Sequence, residues 1–383
     1  MILIPPISKS DAQRALVLAR ITGAADPLPD EELPADVQVL RAGLDVLARG
    51  GAAIDCQDGG APFRFLLTQA AVTPGAAVTF HGTERLGQRP HAALFDALAP
   101  AATRGTGTLL ARVRALEPLP DAFTVSSDES SQFASSLLLG AASISHRTGR
   151  GCSVKVRGAR VSDGYLQMTV RWLRAAGFEV RDEFSVKWVG PRPLPPLPGD
   201  WSSLGYLLLM AWARDGQVSR LSDPALHPDG GIVAALASVG LTVRDDGRVI
   251  GALHGHLDVS ARSFPDSIPV LAALACVLPA PSRLRDVGIL RGKESDRVEG
   301  IAALARAAGA TVAIDGEDLT VTPPAQVAPL RFDSRADHRL AMAAGTLAAI
   351  ARVPLALEGT ECVKKSFPGF WRELAKTGTT VNG

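Results

Sequence analysis

Along this chain, leucines and alanines at helical spacing run up to a glycine, and a short stretch of β-branched residues follows. The pattern reads LDVLARGGAAID at 44–55, WLRAAGFEVRD at 172–182, ALASVGLTVRDD at 235–246 and ALARAAGATVAID at 303–315. Weaker copies are AATRGTGTLLARV at 101–113 and RELAKTGTTV at 372–381. Apolar positions three and four apart put one buried stripe on a helix. Glycine ends the helix because it enters the left-handed region without a Cβ clash, and β-branched residues suit the strand beyond it. With Gly51, Gly107, Gly177, Gly240, Gly309 and Gly378 as markers, successive units lie 56, 70, 63, 69 and 69 residues apart. Helix–glycine–strand is a common connection in any α/β protein, but regular spacing over the whole chain favours a true repeat. The pattern predicts an α/β (α+β) protein of six units, grouped as two domains of three.

The proline-rich VGPRPLPPLPGD at 189–200 suits neither a helix interior nor a central strand, and it marks the domain boundary. IPPIS at 4–8 is a second crossing point. Residues 8–197 then form one domain, and residues 1–7 with 198–383 form the other. A length of 383 residues also exceeds one ordinary core.

Composition refines the picture mainly by exclusion. Hydrophobic residues make up 46% and charged residues 21%, a globular balance. Forty basic residues against thirty-nine acidic ones leave no footprint for nucleic acid or an anionic membrane. Any anion site is therefore a local concentration of Lys and Arg. The longest apolar runs, such as IPVLAALACVLPA at 268–280, are too short to span a bilayer. The N-terminal MILIPPISKSDAQR lacks the basic and long apolar segments of a signal peptide. Cys56, Cys152, Cys276 and Cys362 are far apart, which predicts a reduced, cytoplasmic protein. His254 and His256 lack ligand-spaced partners, so no metal is expected.

Candidate chemistry gathers at helix starts. SKSDAQRALVLA (8–19) opens on Lys9, Ser10 and Arg14, where free backbone N–H groups attract anions. QDGGAPFRFLL (57–67) sets Gly59 and Gly60 before a helix with Arg64 one turn in, and paired glycines allow close approach of a ligand. Arg89 precedes Pro90 in TERLGQRPHAALFDAL. Ser130, Ser131 and Gln132 precede an apolar helix, as does Asp266 in SFPDSIPVLAALA. Asp337, His338 and Arg339 stand together in RADHRLAMAAG, and Lys364 and Lys365 in CVKKSFPGFW. Capping alone explains several of these taken singly. RGKESDR (291–297), after the strand-like LRDVGIL, is denser: five of its seven residues are charged. Parallel helices would converge their positive ends on one space lined by Lys9, Arg14, Arg64, Arg89, Lys293, Arg297, Arg339 and Lys365. Asp266 and Glu294 would then be proton-transfer groups inside an anion trap.

SKSDAQRAL, SSQF, FPD, RGKESDR, DHRLAM and KKSFP, in this order and spacing from Lys9 to Pro368, resemble the 5-enolpyruvylshikimate-3-phosphate (EPSP) synthase family. The resemblance implies two similar domains, each of three βαβαββ repeats in an inside-out α/β barrel, with helix N-termini facing an interdomain cleft. It implies transfer of the enolpyruvyl group of phosphoenolpyruvate to the 5-hydroxyl of shikimate 3-phosphate, without metal or organic cofactor, by a monomer. By motif, Lys9, Ser10, Arg14, Ser130, Ser131, Gln132, Ser162, Tyr165, Asp266 and Lys293 would hold shikimate 3-phosphate. Lys9, Gly60, Arg64, Arg89, Gln132, Arg297, Arg339 and Lys365 would hold phosphoenolpyruvate. Asp266 matches the family's general base and Glu294 its proton donor, with Lys293 as an alternative donor and Lys9 also in the catalytic set.

This chain departs from the family pattern at Asp58, Ala61, Phe65, Asp163 and Gly164, all expected at the rim of the substrate sites. The sister enzyme acting on UDP-N-acetylglucosamine relies on a loop cysteine, and none lies between Thr83 and Arg89. A non-catalytic sugar-phosphate sensor would not need Asp266, Glu294 and Lys293 together.

Overall fold

The structure, a computed structural model, describes residues 1–158 and 163–382. The chain divides into two compact units. One holds Lys9–Glu31 and Ala35–Leu197, the other Met1–Ser8, Glu32–Pro34 and Pro198–Gly383.

One sheet pattern recurs. In the first unit a sheet runs in the order Ala53–Asp55, Ala77–His81, Leu109–Arg114, Ala102–Arg104. Its first pair is parallel and the rest antiparallel. A second sheet repeats this with Ala122–Ser126, Cys152–Arg157, Ser185–Trp188 and Phe178–Val180. In the other unit Asp258–Ser260, Ser282–Arg285, Asp318–Thr322 and Thr311–Asp315 do the same. Parallel neighbours need a crossover. It is supplied by the helices Gly60–Val72, Ser131–Thr148 and Ile268–Ala275 respectively. Each set is thus strand, helix, strand, helical segment, hairpin. The second unit adds the parallel sheet Leu330–Asp333, Leu355–Glu358, Val381–Asn382, the hairpin Leu241–Val243 with Val249–Gly251, and the pair Ile2–Leu3 with Gln217–Val218.

The crossover helices lie in the cores. All eight residues of Ile268–Ala275 are buried, so the helix is apolar on every side. Gly140 lets the Ser131–Thr148 helix approach Gly60–Val72, since a Cβ there would meet Thr68 Cγ2 at 2.5 Å.

Helices do end at Gly177, Gly240, Gly309 and Gly378 with positive φ of 100°, 90°, 89° and 78°, and strands follow. After Ala35–Ala48 the left-handed residue is Gly50 rather than Gly51. The unit expected around Gly107 is different: Ala102–Arg104 and Leu109–Arg114 form a hairpin with Gly107 in its turn. Within this segment only residues 101–104 stand before Gly105, too few to nucleate a helix, and Gly105 and Gly107 favour a turn. The LRDVGIL strand stops at Arg285, and Val287–Leu290 forms a 3-10 turn.

Candidate active site

In the C-terminal unit, three helix starts and one short turn bring opposite charges together. The turn before Ile268–Ala275 carries Asp266, and residues 291–296 precede the helix Arg297–Ala307. Asp337 caps His338–Ala351, accepting from the Arg339 N–H at 2.9 Å. Lys365 ends the 3-10 turn Thr360–Lys365.

Arg297 is the hub, and it is 1% exposed. Its Nη1 donates to Asp266 Oδ1, its Nη2 to Glu294 Oε2 and its Nε to Asp337 Oδ2, each at 2.8 Å. Lys365 Nζ lies 3.5 Å from Glu294 Oε1, and Arg339 Nη2 lies 3.8 Å from Asp266 Oδ2. Arg339 Nη1 donates to the Ser202 carbonyl. One planar guanidinium thus fixes the spacing of both proposed proton-transfer carboxylates.

The electrostatics follow from burial and neighbours. Burial pushes the Asp266 carboxyl up, but Lys293, Arg339 and Arg297 outweigh it and hold the group well below the usual carboxylate range. Burial pulls Arg297 down, and Asp337, Glu294 and Asp266 carry it well above its ordinary value. Arg339 is likewise raised against burial, by Asp266, Tyr206, Asp200 and Asp229.

A second group of candidates lies in the N-terminal unit, at the starts of four helices. Arg14 is 2% exposed. It donates to Thr169 Oγ1 at 2.7 Å, the Ser10 carbonyl at 2.8 Å, the Tyr165 carbonyl at 3.1 Å and Ser135 Oγ at 3.4 Å. These bonds tie together the helices Lys9–Thr22, Ser131–Thr148 and Asp163–Ala175. Arg64, on Gly60–Val72, donates to Gln132 Oε1 and to the Pro90 carbonyl at 2.8 Å. It also lies over the Phe133 ring, 5.0 Å from the centroid. Ser130 caps the Ser131–Thr148 helix through the Gln132 N–H. Lys9 Nζ pairs with Asp36 Oδ2 at 3.0 Å. Four positive helix ends are thereby gathered near Lys9, Arg14 and Arg64.

Gly60 and Arg89 form one feature. A Cβ on Gly60 would meet Arg89 Nη1 at 2.5 Å and Cζ at 2.9 Å. The missing side chain of Gly60 is the space the Arg89 guanidinium occupies.

Phe65, expected at a substrate rim, is fully buried with the Arg14 guanidinium 5.6 Å from its ring centroid. This departure is a packing change. Asp58 Oδ1 accepts from Thr83 Oγ1 at 3.2 Å, and Asp163 Oδ2 from Gln167 Nε2 at 3.2 Å. Ser162 lies outside the described residues.

Several positioning groups escaped the sequence reading. Asp337 was visible only as part of a helix start, yet it holds Arg297. His91 follows Arg89-Pro90 and accepts from Arg64 Nε at 3.3 Å while its Nε2 meets the Leu86 carbonyl at 2.8 Å. Burial first, then Arg64, pushes its pKa down to about 3, so the ring is neutral. Among the described residues no His/Cys/Asp/Glu group has the arrangement of a metal site, and no helix is long and apolar enough to cross a membrane.

Comparison with solved structures identifies the fold. The fold matches an EPSP synthase from Acinetobacter baumannii, TM-score 0.71 at 19% identity, covering 99% of this chain and 96% of that one. It also matches the enolpyruvyl transferase NikO from Streptomyces tendae, TM-score 0.65 at 16% identity, covering 99% and 95%. The fold is that of the enolpyruvyl transferases. Among curated relatives, the 3-phosphoshikimate 1-carboxyvinyltransferase of Methanopyrus kandleri is 32% identical over 98% of this chain and 89% of its own. That of Methanosphaerula palustris is 32% identical over 97% and 96%. The profile of EPSP synthase (3-phosphoshikimate 1-carboxyvinyltransferase) matches residues 30–374. The chain belongs to the EPSP synthase family.

Proposed function

We propose that this protein transfers the enolpyruvyl group of phosphoenolpyruvate to the 5-hydroxyl of shikimate 3-phosphate, releasing phosphate. The observation that carries this reading is the Arg297 hub, which holds Asp266 and Glu294 together among Lys293, Arg339 and Lys365. Both substrates bear a phosphate and a carboxylate, so their approach needs concentrated positive charge. Lys9, Ser10, Arg14, Ser130, Ser131, Gln132, Ser162, Tyr165 and Lys293 serve shikimate 3-phosphate in this reading. Gly60, Arg64, Arg89, Gln132, Arg297, Arg339 and Lys365, with Lys9, serve phosphoenolpyruvate. Arg14 and Arg64 act by gathering helix starts as much as by their own charge.

The 5-hydroxyl oxygen attacks C2 of phosphoenolpyruvate, and Asp266 takes the hydroxyl proton. C3 gains a proton from Glu294 or Lys293, giving a tetrahedral intermediate. C3 then returns a proton, the C2–C3 double bond reforms and the C2–O bond to phosphate breaks. The resting field on Asp266 makes it a weak base. Substrate anions arriving at Lys293, Arg339 and Arg297 offset that field and raise its basicity where the proton must move.

Phosphate release from phosphoenolpyruvate tests the reading directly. Release is expected to depend on shikimate 3-phosphate and to be absent with UDP-N-acetylglucosamine as acceptor. Release with the nucleotide sugar alone would assign the sister reaction. No release from folded protein that binds shikimate 3-phosphate would leave a sugar-phosphate sensor.

Gly60→Ala is expected to raise the KM for phosphoenolpyruvate about tenfold, with kcat and the melting temperature little changed. The new methyl group meets only the far end of the Arg89 side chain and no backbone, so the fold absorbs it while the anion contact moves. Titration of phosphoenolpyruvate at saturating shikimate 3-phosphate checks this, and an unchanged KM would remove Arg89 from that site.

A further inference from the structure

Beside the Asp266 turn lies a buried acid that the reaction scheme leaves unused. Asp229, on the 3-10 turn Pro228–Gly231, is fully buried. Its Oδ2 accepts from Ser202 Oγ, and its Oδ1 accepts from Ser267 Oγ at 3.1 Å. Each serine adjoins a group already described. Ser267 follows Asp266 and opens the helix Ile268–Ala275, yet its hydroxyl makes no capping bond there. The Ser202 carbonyl is the acceptor for Arg339 Nη1, and Arg339 faces Asp266. One carboxylate therefore holds the two backbone segments that carry the proposed base and orient its neighbouring cation.

The two turns also touch directly. A Cβ on Gly231 would meet the Phe264 ring at 2.8 Å, so the Asp229 turn lies close against the segment leading to Asp266. On its other side, the Asp229 N–H donates to His227 Nδ1 at 3.1 Å. The other ring nitrogen, Nε2, lies 3.8 Å from Asp200 Oδ1. Asp200 in turn accepts from the Ser202 N–H at 3.2 Å and from Ser203 Oγ at 2.8 Å. The Asp229 charge also helps hold Arg339 protonated.

We propose that Asp229 is a positioning residue for the reaction: through Ser267 it sets where the Asp266 carboxylate stands, and through Ser202 it sets how Arg339 faces that carboxylate. The inference rests on the reading of Asp266 as the base. A buried carboxylate is costly to desolvate, and an apolar side chain of similar size serves packing at least as well. What an apolar residue cannot do is hold two hydroxyls at a fixed separation. Displacing a base by about 1 Å from its proton donor costs up to about 100-fold in rate.

The test compares wild type with Asp229→Asn, Ser267→Ala, the double variant and Asp266→Asn in the phosphate-release assay, with shikimate 3-phosphate binding by calorimetry. Asp229→Asn is expected to lower kcat about 10- to 100-fold with shikimate 3-phosphate affinity within about threefold of wild type. The acidic limb of its kcat–pH profile should move, because the surroundings of Asp266 change. Ser267→Ala, a smaller perturbation of the fold, should lower kcat several-fold on its own. The double variant should be no slower than Asp229→Asn, since both remove one link. Wild-type kcat in Asp229→Asn and Ser267→Ala, with Asp266→Asn inactive, would overturn this inference and leave the functional reading standing. Multiplying losses, or equal losses of binding and turnover with an unmoved pH profile, would reduce Asp229 to a stabilising role. Full turnover in Asp266→Asn would overturn both. If Asp229→Asn does not fold, Ser267→Ala alone decides, by its kcat and pH profile.

Discussion

Asp266→Asn lowers turnover about 10³-fold while shikimate 3-phosphate still binds. The amide keeps the shape of the side chain and an oxygen to accept from Arg297 Nη1, so the hub stays assembled. It cannot take the proton of the 5-hydroxyl. Steady-state phosphate release and calorimetry on the same preparation separate the two effects, and turnover near wild type would remove Asp266 from the mechanism. A pH signature accompanies it. Asp266 lies below its ordinary 3.8 in the folded protein because Lys293, Arg339 and Arg297 outweigh burial. A depressed carboxyl contributes stability that is full above its unfolded pKa and is lost as pH falls toward the folded one. The melting-temperature difference between wild type and Asp266→Asn should therefore be constant near neutrality and shrink below about pH 4.

Arg297→Met is the second large effect, and it falls first on stability. Removing the guanidinium leaves Asp266, Glu294 and Asp337 facing one another around an apolar side chain, with Asp337 fully buried. Breaking a buried ion pair from one side costs about 3–5 kcal/mol, because the remaining charge keeps its desolvation penalty. Lys365 and Arg339 offset part of this at Glu294 and Asp266, whereas Asp337 keeps only neutral donors, Ser295 Oγ at 3.1 Å and the Arg339 N–H at 2.9 Å, in place of the lost charge. Denaturant unfolding is expected to show a loss in that range, with Arg297→Met/Asp337→Asn recovering part of it. A loss below about 1 kcal/mol would mean that Arg297 is no hub. Turnover should fall with either variant, since the spacing of Asp266 and Glu294 depends on the one planar group between them.

The charged residues of both sites were legible in the chain because their chemistry is local. A lysine, glutamate and arginine within five residues ahead of an apolar run already describe a helix start with both signs of charge. Helix–glycine–strand units were legible for the same reason, since a stripe of leucines and one left-handed glycine are short-range features. Residues 101–113 were not legible in this way, because small residues carry no period there and two glycines turn the chain into a hairpin. Phe65 adjoins a candidate site arginine in sequence, but the helix turns it inward beneath Arg14, which adjacency alone does not reveal.

Local chemistry in the chain specifies the inventory: which acids, bases and cations stand at helix starts, and in what order. Which of them share a partner is set by packing between elements far apart in the chain. Arg297 meets Asp337 across forty residues and Asp229 meets Ser267 across thirty-eight. Such pairs leave no periodic trace, because they form only after separate crossover units have packed. The consequences are equally non-local. The same Asp that reads as a common helix cap becomes a strongly acidic carboxylate once three distant cations surround it, and Gly60 becomes specific only when Arg89 fills the space its side chain lacks.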